Sequence, residues 1–242
     1  MSIVPRTLVA AWSVVGVSAF GARALQTTVH HRARPFWGPT RRPAGLAVVV
    51  PAMATAAGTK RVLVPVADGS EEIESVTIMD TLVRAGADVT VASVGSAPQV
   101  TCSRGVKLVA DCLVGECTAK EWDAIVCPGG MPGATNLKEN ESLEMMLKKQ
   151  HAEGRLVAAI CAAPAMVLAP HGILDGKEAT CYPTDAFKGA LSKHTTMPVV
   201  VDGNVVTSQG PGTALAFSLK LVEEMYGADK AAALKQEMLF PG

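Results

Sequence analysis

Acidic residues are missing from the opening of this chain. No Asp or Glu precedes Asp68, whereas Arg6, Arg23, Arg32, Arg34, Arg41 and Arg42 all fall before Lys60. An Arg-rich, acid-free stretch containing Ser, Thr, Ala and clustered Pro has the composition of an organellar transit peptide that is removed after import. Residues 1–58 are therefore expected to be a disordered leader and residues 59–242 a single folded domain. Val48 to Ala57 reads as the processing region, and the expected destination is the chloroplast, with the mitochondrion as the alternative and the cytoplasm if the leader is unused. Leu8 to Ala22 is a short apolar run that would suit a secretory signal, but the Arg-rich segment after it fits that reading poorly. The formal net charge of zero is a cancellation: with the six leader arginines set aside, 16 basic residues face 22 acidic ones. An acidic body has no basic footprint for nucleic acid.

Other absences narrow the class further. No run in the body reaches the ~18 apolar residues a membrane span requires, so a soluble protein with no membrane partner is expected. The six cysteines lack CxxC pairs, which argues against a zinc site, and they are spread over a body large enough to bury its own core. Reduced thiols and no metal are expected. No G-x-G-x-x-G or Walker pattern occurs, so no nucleotide cofactor is expected either.

What is present centres on LVAAICAAPAMVLAP, Leu156 to Pro170. Leu156 to Ile160 has no polar position and reads as a buried strand. Pro164 suits a first helical turn, and Met166, Val167 and Leu168 continue an apolar face. Cys161 then sits at a strand-to-helix corner, where a nucleophile can be held clear of the sheet with a helix N-terminus behind it, a position that favours thiolate. The competing reading is one more buried cysteine, which suits Cys102, Cys112, Cys117 and Cys127. Cys161 differs because Ala162 and Ala163 clear space around it.

Upstream, Lys60 to Ala67 is a strand. Ser70 can cap a helix whose first turn holds Glu71, Glu72 and Glu74, and Ile73, Val76, Ile78, Met79, Leu82 and Val83 give that helix an apolar stripe. Ala87 to Val94 completes a parallel βαβ unit. Gln99 to Val114 suggests a hairpin excursion, and Trp122 to Cys127 is a third strand closed by Pro128-Gly129-Gly130. Glu141 to Glu153 is an amphipathic helix. Ala179 to Tyr182 reads as a strand, Val199 to Ser208 as a hairpin, and Thr213 to Met225 and Ala228 to Met238 as helices. This alternation specifies a doubly wound α/β/α sandwich with a mostly parallel sheet, whose ligands bind beyond the carboxyl ends of the strands.

Three segments meet at that edge: Asp68 to Glu74, Pro128 to Gly130, and Cys161 to Ala163. Glu74 is the best proton carrier, able to turn inward while Glu71 and Glu72 stay solvated. A buried carboxyl beside a sulfur would have a raised pKa. Gly129-Gly130 is either plain turn chemistry or an amide brought close to a ligand; the Gly130 and Ala162 amides together would form an oxyanion hole. His151 and His194 lie in polar surroundings and His171 ends a helix, so a Cys-His-Asp hydrolase is poorly supported. Tyr182 stands where a partner for Cys161 would be expected.

VADGSEEIES, TCSRGVKL, CPGGMPGATNL, AAICAAP and TSQGPGTALAF, in this order and spacing, resemble the DJ-1/ThiJ/PfpI superfamily, and most closely its Parkinsonism-associated and bacterial YajL-like branch. The resemblance runs from Lys60 to about Leu239. It implies a flavodoxin-like, class I glutamine-amidotransferase-like sandwich, a homodimer, and an oxidation-sensitive nucleophilic Cys161 hydrogen-bonded to a protonated Glu74. It further implies oxyanion donors at Gly130 and Ala162, and places Arg104 and Gly210-Pro211 near the dimer interface and site mouth. Tyr182 replaces a histidine that assists the cysteine in some members, and Gln209 replaces an Arg of animal members. The activity implied is a cofactor-free glyoxalase or deglycase acting on methylglyoxal and glyoxal. The alternatives are a redox-sensing chaperone whose Cys161 reaches sulfinic acid and, behind it, a PfpI-type cysteine peptidase.

Overall fold

The computed structural model describes residues 58–241; the expected leader, His30 and His31 included, lies outside the described residues except for Gly58. The first strand, β1 (Arg61–Val66), is apolar on both faces, and Val62, Leu63, Val64 and Val66 are all fully buried, as the interior strand of a parallel sheet must be. Helix α1 (Glu72–Ala85) ends on Gly86 in the left-handed conformation, and β2 (Asp88–Ser93) returns parallel to β1. The excursion expected next is a two-stranded sheet of β3 (Gln99–Thr101) and β4 (Lys107–Val109). β5 (Cys112–Leu113) follows, and then a 3-10 turn over Val114–Cys117. β6 (Ala124–Cys127), α2 (Gly133–Lys138), α3 (Glu141–Ala152) and β7 (Leu156–Ile160) lead to the Cys161 corner.

Beyond that corner the chain makes one π-helical turn, Pro164–Leu168, then β8 (Glu178–Ala179), α4 (Asp185–Gly189) and β9 (Lys193–His194). β10 (Val199–Asp202) and β11 (Val205–Ser208) form a hairpin, and α5 (Ala214–Tyr226) and α6 (Ala228–Glu237) close the chain. The main sheet has the order β10-β11-β7-β6-β1-β2-β5, parallel throughout except for the β10–β11 pair. α1, α5 and α6 pack together, while α2 packs on the Cys161 turn and α3 on β6 and β7. This is the mostly parallel, flavodoxin-like α/β/α fold that the alternation of apolar runs specifies.

Three local expectations are corrected. Ser70 does not cap α1; its hydroxyl accepts from the Ala67 amide, and the cap is Glu71, whose carboxylate accepts from the Glu74 N–H at 2.8 Å. The stripe along α1 is split: Ile78 and Leu82 are core, whereas Ile73 and Val83 are more than half exposed and Val76 nearly so. Helical spacing shows that a face is apolar, not what covers it. The strand expected over Ala179 to Tyr182 is β8, two residues long, paired with β9 outside the main sheet. Its continuation bonds side chain and corner instead, with the Thr180 N–H donating to Thr207 Oγ1 and the Tyr182 N–H to the Cys161 carbonyl.

Candidate active site

Cys161 is one of two non-glycine residues with positive φ among the described residues, at 65°. An L-residue in that region is strained and persists only where its surroundings fix it. Here the fixing bonds come from both sides: the Cys161 N–H donates to the Ser208 carbonyl at 3.0 Å and the Cys161 carbonyl accepts from Tyr182 at 2.8 Å. The strained corner turns the side chain off the end of β7 to the carboxyl edge of the sheet, as a nucleophile elbow does. The segment after β6 is shaped around it. A Cβ on Gly129 would lie 2.6 Å from the Cys161 Cβ, and one on Gly130, at φ 89°, would run into the Glu71 amide and the Gly69 carbonyl. Gly129-Gly130 is therefore a close-approach requirement and not merely a turn.

Glu74 turns inward from the first turn of α1 and is fully buried. Its Oε2 accepts from the Gly129 N–H at 2.8 Å, Oε1 has no hydrogen-bond partner, and the carboxyl lies beside the Cys161 thiol. Burial raises the Glu74 pKa to about 7 against the pull of the Gly129 N–H and the thiol, and the neighbouring Glu71 carboxylate adds to the rise. For Cys161 the expectation of a freely ionised thiol is corrected. Burial and then the charge on Glu74 push it up to about 12, opposed by the N–H groups of Gly130 and Ala162. The helix behind it is a single turn, too short to supply a useful dipole, so among the described residues it is the two amides that favour charge on sulfur. Two adjacent acids cannot both ionise in so little solvent, so the pair gives up at most one proton around neutral pH, and thiolate forms only while Glu74 keeps its own.

The Cys161 thiol opens into a cavity of about 400 Å³ whose walls include Glu71, Gly130 and Ala162, with Arg104, Tyr182, Phe187 and Pro211 towards the mouth. Tyr182, 45% exposed, stands against Gly210, where a Cβ would come within 3.4 Å of its ring. Arg104 is exposed; its amide is fixed by the Glu72 carboxylate at 2.8 Å, and its Nη1 donates to the Ser103 carbonyl. All the site residues expected from the sequence thus meet here: Cys161, Glu74, Gly129, Gly130, Ala162, Tyr182 and Arg104. The expectation that Glu71 and Glu72 are solvated is corrected, since each is only 8% exposed. Glu71 caps α1 and faces the cavity, and Glu72 ties down the Ser103-Arg104 loop. The spacing Glu71-x-x-Glu74 carried that cap; the preference of caps for Ser drew attention to Ser70 instead.

No histidine among the described residues lines this cavity. His151 and His194, whose polar surroundings suggest solvent, are half-buried; His171 Nδ1 lies 3.5 Å from Glu144 Oε1, and burial lowers the pKa of His171 and of His151. A second cavity of similar size, about 380 Å³, sits around Lys60, Asp123 and Asn204 and contains no nucleophile, so chemistry and not size singles out the Cys161 cavity.

An elbow cysteine paired with a buried acid on a flavodoxin-like sandwich defines a cysteine-dependent α/β protein. Residues 60–224 match the model of the DJ-1/PfpI family, and the chain belongs to that family. It is 48% identical over 182 residues to protein DJ-1 homolog B of Arabidopsis thaliana, covering 75% of this chain and 42% of that protein. The chain thus spans less than half the length of that relative. It is 39% identical over 175 residues to the glutathione-independent glyoxalase DJR-1.2 of Caenorhabditis elegans, covering 72% of this chain and 91% of the relative. Among solved structures, oxidized Toxoplasma gondii DJ-1 superposes with a TM-score of 0.74 at 44% identity, over 76% of this chain and all of that one.

Proposed function

We propose that this protein is a glutathione-independent glyoxalase and deglycase that uses no cofactor and converts methylglyoxal and glyoxal to lactate and glycolate. The observation that carries the reading is the elbow thiol of Cys161 set beside the buried carboxyl of Glu74 at the floor of a small cavity. Its kinship with a relative named as such a glyoxalase supports it.

Substrate binding sets the direction of proton flow. With the proton on Glu74, Cys161 thiolate adds to the aldehyde carbon, forming a C–S bond and an alkoxide. As sulfur becomes a neutral thioether, the Gly130 and Ala162 N–H groups that held its charge are released to the new oxyanion. The alkoxide takes the Glu74 proton, and the freed carboxylate removes the proton from the same carbon, giving an enediolate whose charge rests on the former ketone oxygen. Return of that proton to the neighbouring carbon, as the hydroxyl proton passes from the sulfur-bearing carbon's oxygen to the other oxygen, leaves a thioester of lactate, which water cleaves to restore the thiol. The sum is one dicarbonyl plus one water to one hydroxy acid. Addition to a dicarbonyl already condensed with an amine or guanidine would give the deglycase reaction through the same sulfur.

Steady-state lactate formation from methylglyoxal without glutathione tests the reading; native rates in Cys161→Ser or Glu74→Gln protein would overturn it. A second reading is redox sensing, supported by the oxidized state named for the Toxoplasma relative. Here Cys161 climbs to sulfinic acid beside Glu74, and indifference of Cys161 to mild peroxide would exclude it. A homodimer is also proposed, supported by the exposed Ile73, Val76 and Val83 on α1, and checked by sedimentation. Import into the chloroplast is the proposed fate of residues 1–58, tested by the location of a fluorescent fusion to them.

A further inference from the structure

A second thiol site lies at the far edge of the sheet. Cys112 begins β5, the terminal strand beside β2, and the 3-10 turn that follows folds back so that Cys117 Sγ stands 3.5 Å from Cys112 Sγ. The turn is held in that form by the Glu116 side chain accepting from the Leu113 N–H at 2.8 Å and by Thr118 Oγ1 donating to the Gly115 carbonyl. Cys112 is half-buried and reachable from solvent, whereas Cys117 is fully buried. Four strand steps separate β5 from β7, so roughly 19 Å of sheet lies between this pair and Cys161. That is well beyond the span of a disulfide, so the pair and Cys161 cannot be linked within one molecule.

We propose that Cys112 and Cys117 form a reversible intramolecular disulfide under oxidation by peroxide-class oxidants, giving the protein a two-electron redox site separate from its reactive cysteine. The accessible sulfur of Cys112 breaks the O–O bond, gaining an S–O bond as water departs. Cys117 sulfur then attacks that sulfenic sulfur; the S–S bond forms, the S–O bond breaks, and the leaving hydroxide takes the Cys117 proton as water. Two thiols lose two electrons and two protons, and one peroxide becomes two waters. The order of roles follows from burial, which pushes the Cys117 thiol up to about 12 and leaves it the resolving partner. A disulfide is returned to thiols by dithiol reductants, whereas an isolated cysteine oxidised to the sulfinic stage is not.

The test is mass spectrometry of the tryptic peptide 108–120, which holds these two cysteines and no other. The protein is exposed to mild hydrogen peroxide, quenched in acid, unfolded and alkylated with and without reductant. The expected result is loss of the doubly alkylated peptide in favour of one lighter by two hydrogens and unalkylated, recovered by reductant. The same result is expected in Cys161→Ser protein, and none of the lighter peptide in Cys112→Ser. Full double alkylation at peroxide doses that oxidise Cys161, added oxygen in place of lost hydrogen, or a cross-link between two copies would each overturn the proposal. The native protein alone decides among these outcomes, so poor folding of a variant leaves the test intact.

Discussion

Replacing Glu74 by Gln isolates the buried acid on which the site is built. The native state holds the Glu74 proton up to about pH 7, whereas the carboxyl's ordinary value is 4.5. A folded pKa above the unfolded one means that the stability this group contributes is complete below pH 4.5 and is lost as pH rises through 7. Between pH 4 and 8 that difference amounts to about 3 kcal/mol, at 1.36 kcal/mol per unit. Gln keeps the acceptor for the Gly129 N–H and cannot ionise, so its packing effect is a constant offset and the pH-dependent part vanishes. Urea unfolding of both proteins across this range is the assay. The stability of Glu74→Gln relative to the native protein should climb by roughly 2–3 kcal/mol from pH 4 to pH 8. A relative stability that stays flat with pH would show that Glu74 ionises normally, and the single-charge account of the Cys161 pair would be wrong.

Gly130→Ala should destabilise the protein by more than about 2 kcal/mol and abolish turnover, because the new Cβ meets the Glu71 and Gly69 backbone at a positive φ; urea midpoints and lactate assays report both. Glu71→Gln removes a charge that raises the Glu74 pKa, so the pH–rate limb belonging to Glu74 should move to lower pH, with about 1 kcal/mol or less lost from the weakened cap. Tyr182→Ala opens the cavity mouth without touching the Cys161–Glu74 pair, and should raise KM several-fold while leaving kcat nearly unchanged, since its backbone bond to Cys161 is kept.

The sheet and the elbow were legible because both are written in short-range patterns. Val62 to Val66, Ala124 to Cys127 and Leu156 to Ile160 are apolar on both faces, and Pro164 just past Cys161 marks the change of period. The pairing of Glu74 with Cys161 followed from the topology, since parallel strands bring the turns after β1 and β7 to one edge. What depends on non-local contact was not legible. The exposure of Ile73 and Val83 depends on what packs against α1. The burial of Glu72 depends on a loop some thirty residues away, whose Ser103 and Arg104 it binds. The short β8 depends on Thr207, which supplies a side chain where a ladder partner was expected. The charge state of Cys161 was misjudged for the same reason: a helix start read from sequence gave no sign that the helix is one turn long or that the adjoining acid is sealed from water.

The central claim is that Cys161 sulfur bonds covalently to the dicarbonyl carbon during turnover. Acid quenching of the protein within its first turnover of methylglyoxal, followed by peptide mass spectrometry, measures this directly. The account requires the peptide bearing Cys161 to be heavier by one methylglyoxal unit in native protein, and more persistently so in Glu74→Gln, where the rearrangement stalls. Lactate release with Cys161 unmodified at every quench time, or adducts confined to lysine and arginine side chains, would contradict it.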